Sequence, residues 1–243
     1  MAQPTATLPP VILFDLDDTL ISAHLHPFEA WREAIETVEG GAPDLDPERD
    51  AATIHGAAKW FWSDAARHKQ GRLNILWARK QILERAFAEM GREVDPDLVD
   101  RLGQHFTDLR TARTRLFPDA VETLEGLISR GVRLALITNG NATEQRSKVD
   151  RFDLARHFEH VQIEGEVGFG KPEEKAYAHA LEVMGSTVEE TWIVGDNLNW
   201  EVEVPQRLGF HAIWRDPYGR GLPPGSTARP DRVITRLAEL LDG

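Results

Sequence analysis

The sequence predicts an α/β protein: a Rossmann-like parallel sheet core with an inserted all-helical domain. Three observations carry that prediction. Val11-Ile12-Leu13-Phe14 is an apolar run that ends abruptly in Asp15-Leu16-Asp17-Asp18, as a strand buried on both faces does where it leaves a parallel sheet. From Leu116 onward helical and strand patterns alternate, the rhythm of successive βα units. Between these two parts, residues 27–113 show helical periodicity alone.

Within the insert, Phe28, Trp31 and Ile35 recur at helical spacing, as do Ile75, Leu76, Ile82, Leu83 and Phe87. Gly40-Gly41-Ala42-Pro43 and the stretch from Met90-Gly91 to Pro96 read as helix stops and turns. In the remainder, helices are expected over 118–130, from Asn141 or Ala142 onward, over 173–184, and over 200–208 with a bend near Pro205. Strands are expected over 132–138, 160–163, 192–194 and 210–214. Residues 219–230 form a Gly/Pro-rich loop, and 233–241 close the chain with a short strand or turn and a helix. The core therefore comprises residues 1–22 and 114–243 and the insert 23–113, with hinges at 22–26 and 113–117.

Composition narrows the function. With 243 residues, 41% of them hydrophobic and 28% charged, the chain suits a folded core plus a smaller domain rather than disorder. A net charge of −12 argues against nucleic-acid binding, which relies on basic patches. It leaves a small anionic substrate open, because a local cation cluster can reverse the field inside a cleft. The absence of cysteine excludes disulfides, thiolate catalysis and Cys-ligated zinc. Residues 1–10 lack the basic cluster and apolar segment of a secretory signal, and no run approaches the ~20 apolar residues of a membrane span. A cytoplasmic location without a membrane partner is expected, and the sequon at Asn141 is then incidental.

The chemistry concentrates at strand ends. Asp15 and Asp17 follow the first apolar run, where carboxylates repel one another unless a cation lies between them; an all-oxygen site of this kind suits Mg²⁺. Leu134-Ala135-Leu136-Ile137 ends in Thr138 and Asn139, which offer a hydroxyl, an amide and backbone N–H groups to an anion. Thr138, Asn139 and Asn141 equally suit helix capping, Asn141 with Glu144 as a capping box. Residues 165–171 fit G-x-x-x-x-G-K, but the next residue is Pro172, which brings no hydroxyl for Mg²⁺ and excludes a P-loop. That proline suits the first turn of a helix. Trp192-Ile193-Val194-Gly195 ends in Asp196, with Asn197 next and Glu201 further on. Asp18 is expected as a polar turn residue. His24 and His26 lie near the first hinge and are expected in polar packing or solvent, while His55, His68 and His105 lack zinc-ligand spacing. Trp60-Phe61-Trp62 is expected in the insert's core, and Lys69, Arg72 and Arg79 on a solvated helix face.

Taken together and in order, these segments resemble the haloacid-dehalogenase-like hydrolase superfamily along nearly the whole chain. Asp15-Leu16-Asp17-Asp18-Thr19 matches its DxDxT motif, Thr138 its second-strand Ser/Thr, Lys171 its lysine before a helix, and Asp196 its late acidic residue. Glu201 stands where the family often has Asp. The layout resembles the subclass with a helical cap between the first two motifs, a lid that excludes water and selects the leaving group. The resemblance implies that Asp15 is the nucleophile and that Asp17 protonates the leaving oxygen and later deprotonates water. It implies further that Thr138, Asn139 and Lys171 bind the phosphoryl group, and that Asp15, the Asp17 backbone carbonyl and Asp196 hold Mg²⁺. Asn197 and Glu201 stand behind them, Glu201 reaching the metal through water or Lys171.

The expected function is Mg²⁺-dependent hydrolysis of a small phosphorylated metabolite through an aspartyl-phosphate. Ile137-Thr138-Asn139-Gly140 and Glu166-Val167-Gly168 resemble the family's nucleotide and acyl-sugar-phosphate phosphatases, which favours a nucleoside monophosphate or sugar phosphate. Asp17 speaks against a dehalogenase, whose chemistry needs no proton on an ester oxygen and whose motif lacks that second Asp. A phosphomutase shares these residues. A non-catalytic phosphate-binding regulatory module is the remaining alternative; it predicts a damaged motif, yet Asp15, Asp17, Thr138, Lys171 and Asp196 are all in place. The oligomeric state is left open.

Overall fold

Short apolar strands separated by amphipathic helices leave little choice but a sheet covered on both faces. The computed structural model, which describes residues 8–23, 26–93 and 95–242, realises it with β1 (Val11–Phe14), β2 (Ile21–Ser22), α1 (Pro27–Thr37), α2 (Pro47–Trp62), α3 (Ala65–Leu73), α4 (Ile75–Glu89) and α5 (Pro96–Arg113). There follow β3 (Arg115–Leu116), α6 (Ala120–Ser129), β4 (Arg133–Thr138), α7 (Ala142–Arg151), β5 (His160–Ile163), α8 (Glu164–Val167), α9 (Glu174–Met184), β6 (Thr191–Gly195), α10 (Val204–Leu208), β7 (His211–Arg215) and β8 (Arg232–Ile234). The chain divides into two compact units, one formed by the residues up to Ser22 together with Arg115 onward, the other by Ala23–Thr114.

In the α/β unit the six strands run parallel in the order β5-β4-β1-β6-β7-β8. Counted in chain order this is the doubly wound arrangement 3-2-1-4-5-6, whose order reverses between β1 and β6. Ligands in such sheets bind beyond the carboxyl ends of the strands at that reversal. The register fixes what gathers there: Phe14 lies beside Leu136 of β4 and Val194 of β6, so Asp15, Thr138 and Asp196 leave the sheet at one rim. One face of the sheet packs Val11, Leu13, Ala135, Ile137 and Ile193 against Tyr177, Ala180 and Met184 of α9 and Val202, Val204 and Phe210. The segment 200–208, expected as a bent helix, is a π-helix over Leu198–Glu203 continued by α10, whose second residue is Pro205. The antiparallel pair β2–β3, with Ile21 opposite Leu116, was not foreseen; two-residue strands carry no periodicity to read.

The helical unit has its own core, in which Trp31 stacks on Phe106 with ring centroids 3.6 Å apart. Four of its helices start where small polar residues accept backbone N–H groups: Asp46 from Arg49, Asp64 from Arg67, Asn74 from Trp77 and Asp95 from Asp97. Two expectations change here. Phe61 and Trp62 are in or against the core, but Trp60 is 39% exposed, with the guanidinium carbons of Arg67 and Arg85 3.8 Å and 3.9 Å from its ring centroid. Arg79, expected on a solvated face, is buried with its guanidinium 4.7 Å from the Phe106 centroid; the stem is long enough to lie along apolar surface while the charge rests on an aromatic face. His26 adopts a left-handed conformation just before α1 and lies 3.8 Å from Glu29; His24 lies outside the described residues. Among the described residues no helix is long and apolar enough to cross a membrane.

Candidate active site

Every motif residue lies in the α/β unit, and the structure gathers them into two linked groups. The first centres on Asp15. Its backbone N–H extends the β1–β6 ladder by donating to the Val194 carbonyl at 2.9 Å, which fixes the side chain at the rim. Lys171 Nζ donates to Asp15 Oδ1 at 2.7 Å and Thr19 Oγ1 to Oδ2 at 3.0 Å. Burial pushes the Asp15 carboxyl above the usual range, and the Lys171 ammonium opposes that rise.

Lys171 is only 1% exposed and bridges two carboxylates, Asp15 and, at 2.8 Å, Glu201. Burial alone would depress its pKa; the two carboxylates more than reverse this, so the ammonium stays charged. Glu201 is fully buried, which pushes it up to about 7 against the pull of Lys171. Its approach depends on Gly195, where a Cβ would lie 2.1 Å from Glu201 Cγ and 3.0 Å from Asp15 Cβ. Lys171 is itself clasped: its N–H donates to Asn139 Oδ1 at 2.8 Å, and Asn139 Nδ2 donates to the Lys171 carbonyl at 2.6 Å. Asn139, expected against the phosphoryl group, thus has both amide atoms committed to the backbone of the lysine. Pro172 follows a cis peptide and stands before α9 rather than in its first turn.

Asp196 continues from β6, with its carbonyl accepting from Trp214 Nε1 at 2.7 Å. Its carboxylate has no hydrogen-bond or ion-pair partner among the described residues. Burial, then the charges of Asp15, Glu201 and Asp18, hold its pKa well above the usual carboxylate range. Asn197 stands behind this group: its amide oxygen accepts from the N–H groups of Asn199 and Trp200 as a helix cap, and its own N–H donates to Glu201 Oε2 at 2.9 Å. Asp18, in a left-handed turn at φ 55°, is buried and accepts from the Tyr218 hydroxyl at 3.1 Å.

The second group centres on Asp17. Lys148 Nζ donates to both of its carboxylate oxygens at 2.8 Å, and Gln145 Nε2 to Oδ2 at 2.9 Å. The same Gln145 nitrogen lies 2.5 Å from Thr138 Oγ1, and Asn141 caps α7 as expected, through the N–H groups of Thr143 and Glu144. Gln145, Lys148 and Tyr218 are not singled out by the sequence, and Thr19 enters there only as the last residue of the DxDxT motif. Gln145 and Lys148 leave a weaker signal, as a polar pair spaced i, i+3 just after the Thr138 strand end.

The site's chemistry fits a hard divalent cation. Crowded carboxylates with raised pKa values, one of them without a partner among the described residues, are the environment that a cation relieves, and the carboxylates and backbone carbonyls offer it oxygen ligands. Among the described residues no three His, Asp or Glu side chains converge as a metal cage; the expected set needs two carboxylates, Asp15 and Asp196, and the backbone carbonyl of Asp17.

A family model described as haloacid dehalogenase-like hydrolase matches residues 9–209. The chain is 34% identical to the phosphoserine phosphatase of Thermus thermophilus, over 95% of this chain and 97% of that protein. It is 31% identical to the glyceraldehyde 3-phosphate phosphatase of Methanopyrus kandleri, over 95% of both. In structure it is similar to the HAD-hydrolase YfnB from Bacillus subtilis bound to magnesium, with a TM-score of 0.72, 20% identity, and coverage of 96% of this chain and 97% of that one.

Proposed function

The chain belongs to the haloacid dehalogenase-like hydrolases, and we propose that it hydrolyses phosphate monoesters of small metabolites through a phosphorylated Asp15. The observation that carries the reading is the buried Asp15 carboxylate, oriented by Lys171 and Thr19 and set at the reversal point of the sheet with Asp196, whose carboxylate has no partner among the described residues. An oxygen of Asp15 attacks phosphorus. The ester P–O bond breaks, its electron pair passes to the ester oxygen, and that oxygen takes a proton from Asp17. Water then attacks the phosphorus of the acyl phosphate, giving its proton to Asp17 as the bond to Asp15 breaks. Lys171 balances the charge beside the nucleophile and Thr138 offers its hydroxyl to a phosphoryl oxygen. Asp15, Asp196 and the Asp17 carbonyl would hold Mg²⁺, whose chemistry there is to neutralise the repulsion between an anionic nucleophile and an anionic phosphoryl group.

The helical insert takes the role of selecting the leaving group. Substrate candidates are nucleoside monophosphates and sugar phosphates, together with the phosphoserine and triose phosphate named for the relatives. Phosphate release from a panel of these esters, with and without Mg²⁺ and with Asp15→Asn in parallel, tests the reading. Mg²⁺-dependent release that is lost in the variant supports it. Release by Asp15→Asn at the rate of the unsubstituted protein, or no release from any ester, overturns it.

A further inference from the structure

Asp17 is held by groups outside the four motifs. Helix α7 begins at the Asn141 cap, three residues after Thr138, so its first two turns stand beside the tip of β4. Gln145 and Lys148 are one turn apart and share a face, and Lys148 Nζ also donates to Gln145 Oε1 at 2.6 Å. Asp17, Lys148 and Gln145 therefore form a closed ring of contacts, and the Gln145 amide nitrogen ties that ring to the Thr138 hydroxyl.

An exposed ion pair between helix and loop would add little and orient nothing. This one differs in two respects. The side chains of Lys148 and Asp17 are only 26% and 18% exposed, and Gln145 beneath them is buried. Both oxygens of Asp17 are engaged from a single rigid helix, which leaves the carboxyl group little rotational freedom. Asp15 and Asp17 thus have a lysine each, Lys171 on Asp15 and Lys148 on Asp17.

We infer that Lys148, acting with Gln145, is a positioning residue for Asp17: it fixes the carboxyl group where a proton passes to the leaving ester oxygen and couples it to Thr138. The inference rests on the acid–base role of Asp17 in the proposed function. It has a signature that a merely structural residue lacks. An alkyl phosphate cannot lose its alcohol without a proton on the departing oxygen, whereas p-nitrophenyl phosphate leaves as a stable phenolate and hardly needs one.

The test is steady-state kinetics of the full chain with Mg²⁺ on an alkyl phosphate from the panel and on p-nitrophenyl phosphate, for Lys148→Met, Lys148→Arg and Gln145→Leu. Positioned proton transfer is worth about 10²–10⁴-fold, so partial loss of position in Lys148→Met should lower kcat/KM on the alkyl ester about 10–100-fold; this ratio reports formation of the acyl phosphate and not the later attack of water, which both esters share. On the aryl ester kcat/KM should fall less than about 3-fold. Lys148→Arg, whose planar fork can engage both carboxylate oxygens, should recover most of the loss. Equal loss of kcat/KM on both esters, or no change in it on either, overturns the inference. Should Lys148→Met fail to fold, Lys148→Arg and Gln145→Leu carry the same comparison. Should the unsubstituted protein hydrolyse neither ester, the proposed function falls, and crystal structures of the metal-free proteins decide the positioning separately: Asp17 displaced in Lys148→Met upholds it, and Asp17 unmoved overturns it.

Discussion

Replacing Asp196 with asparagine should make the metal-free protein more stable, even though it removes a residue of the site. The Asp196 carboxylate is half-buried near Asp15, Glu201 and Asp18 with its pKa held well up, and no hydrogen bond or ion pair compensates it among the described residues. Asparagine keeps the shape and the backbone carbonyl that Trp214 uses but carries no charge. An uncompensated amide there costs less than an uncompensated carboxylate charge, and the difference is about 1–3 kcal/mol. For a unit of this size each kcal/mol moves Tm by about 2–4 °C, so a rise of about 2–12 °C is expected in EDTA. Mg²⁺ at a hundred times its Kd should stabilise the unsubstituted protein by about 2.7 kcal/mol, and the variant, short of one ligand, by much less. The gap between the two melting points should therefore close or reverse. Scanning calorimetry at pH 8, reading the transition of the α/β unit separately from that of the helical unit, checks both halves. A variant that melts below the unsubstituted protein in EDTA, or an equal Mg²⁺ shift in both, would refute the reasoning.

Lys171→Met strips the counter-charge from Asp15 and Glu201 at once, and breaking such a buried pair costs about 3–5 kcal/mol; urea unfolding of the α/β unit should show it, and a loss below about 1 kcal/mol would contradict the ion-pair geometry. Gly195→Ala places a Cβ 2.1 Å from Glu201 Cγ, an overlap that should cost about 1–3 kcal/mol; a thermal melt unchanged from the unsubstituted protein would count against the close approach. Glu201 binds its proton more tightly when folded, at about 7 against 4.5 unfolded, so its share of metal-free stability is full below pH 4.5 and is lost as pH rises towards 7. The melting temperature of Glu201→Gln should therefore fall less steeply than that of the unsubstituted protein across that window, and parallel curves would show that Glu201 does not titrate there.

Much of this architecture is legible in the chain because burial leaves a strong one-dimensional trace. The run Val11–Phe14 and the strands ending in Thr138 and Gly195 are buried, apolar and terminated by polar residues, so both their positions and their carboxyl ends can be read. Lys171 is legible only through its motif; nothing local says that a lysine will be buried, since its partners lie at positions 15 and 201. Asn139 and Asn197 show the reverse difficulty. An amide that serves a ligand and one that serves the backbone look alike in sequence, and here both serve backbone groups. Gln145 and Lys148 lie on a polar helix face that reads as solvated surface until the register of β1 and β4 brings Asp17 against it. Arg79 follows the same logic, its charge concealed by packing on Phe106. The β2–β3 pair escapes because its partners are two residues long and some ninety residues apart in the chain.

Phosphorylation of Asp15 during turnover can be seen by trapping the intermediate. Turnover with the best ester of the panel is quenched in acid, the acyl phosphate is reduced with borohydride, and the modified residue is located by mass spectrometry. Reduction is expected at Asp15, dependent on both substrate and Mg²⁺ and absent in Asp15→Asn. Sustained phosphate release with position 15 unmodified throughout, or with the label on another residue, would contradict it.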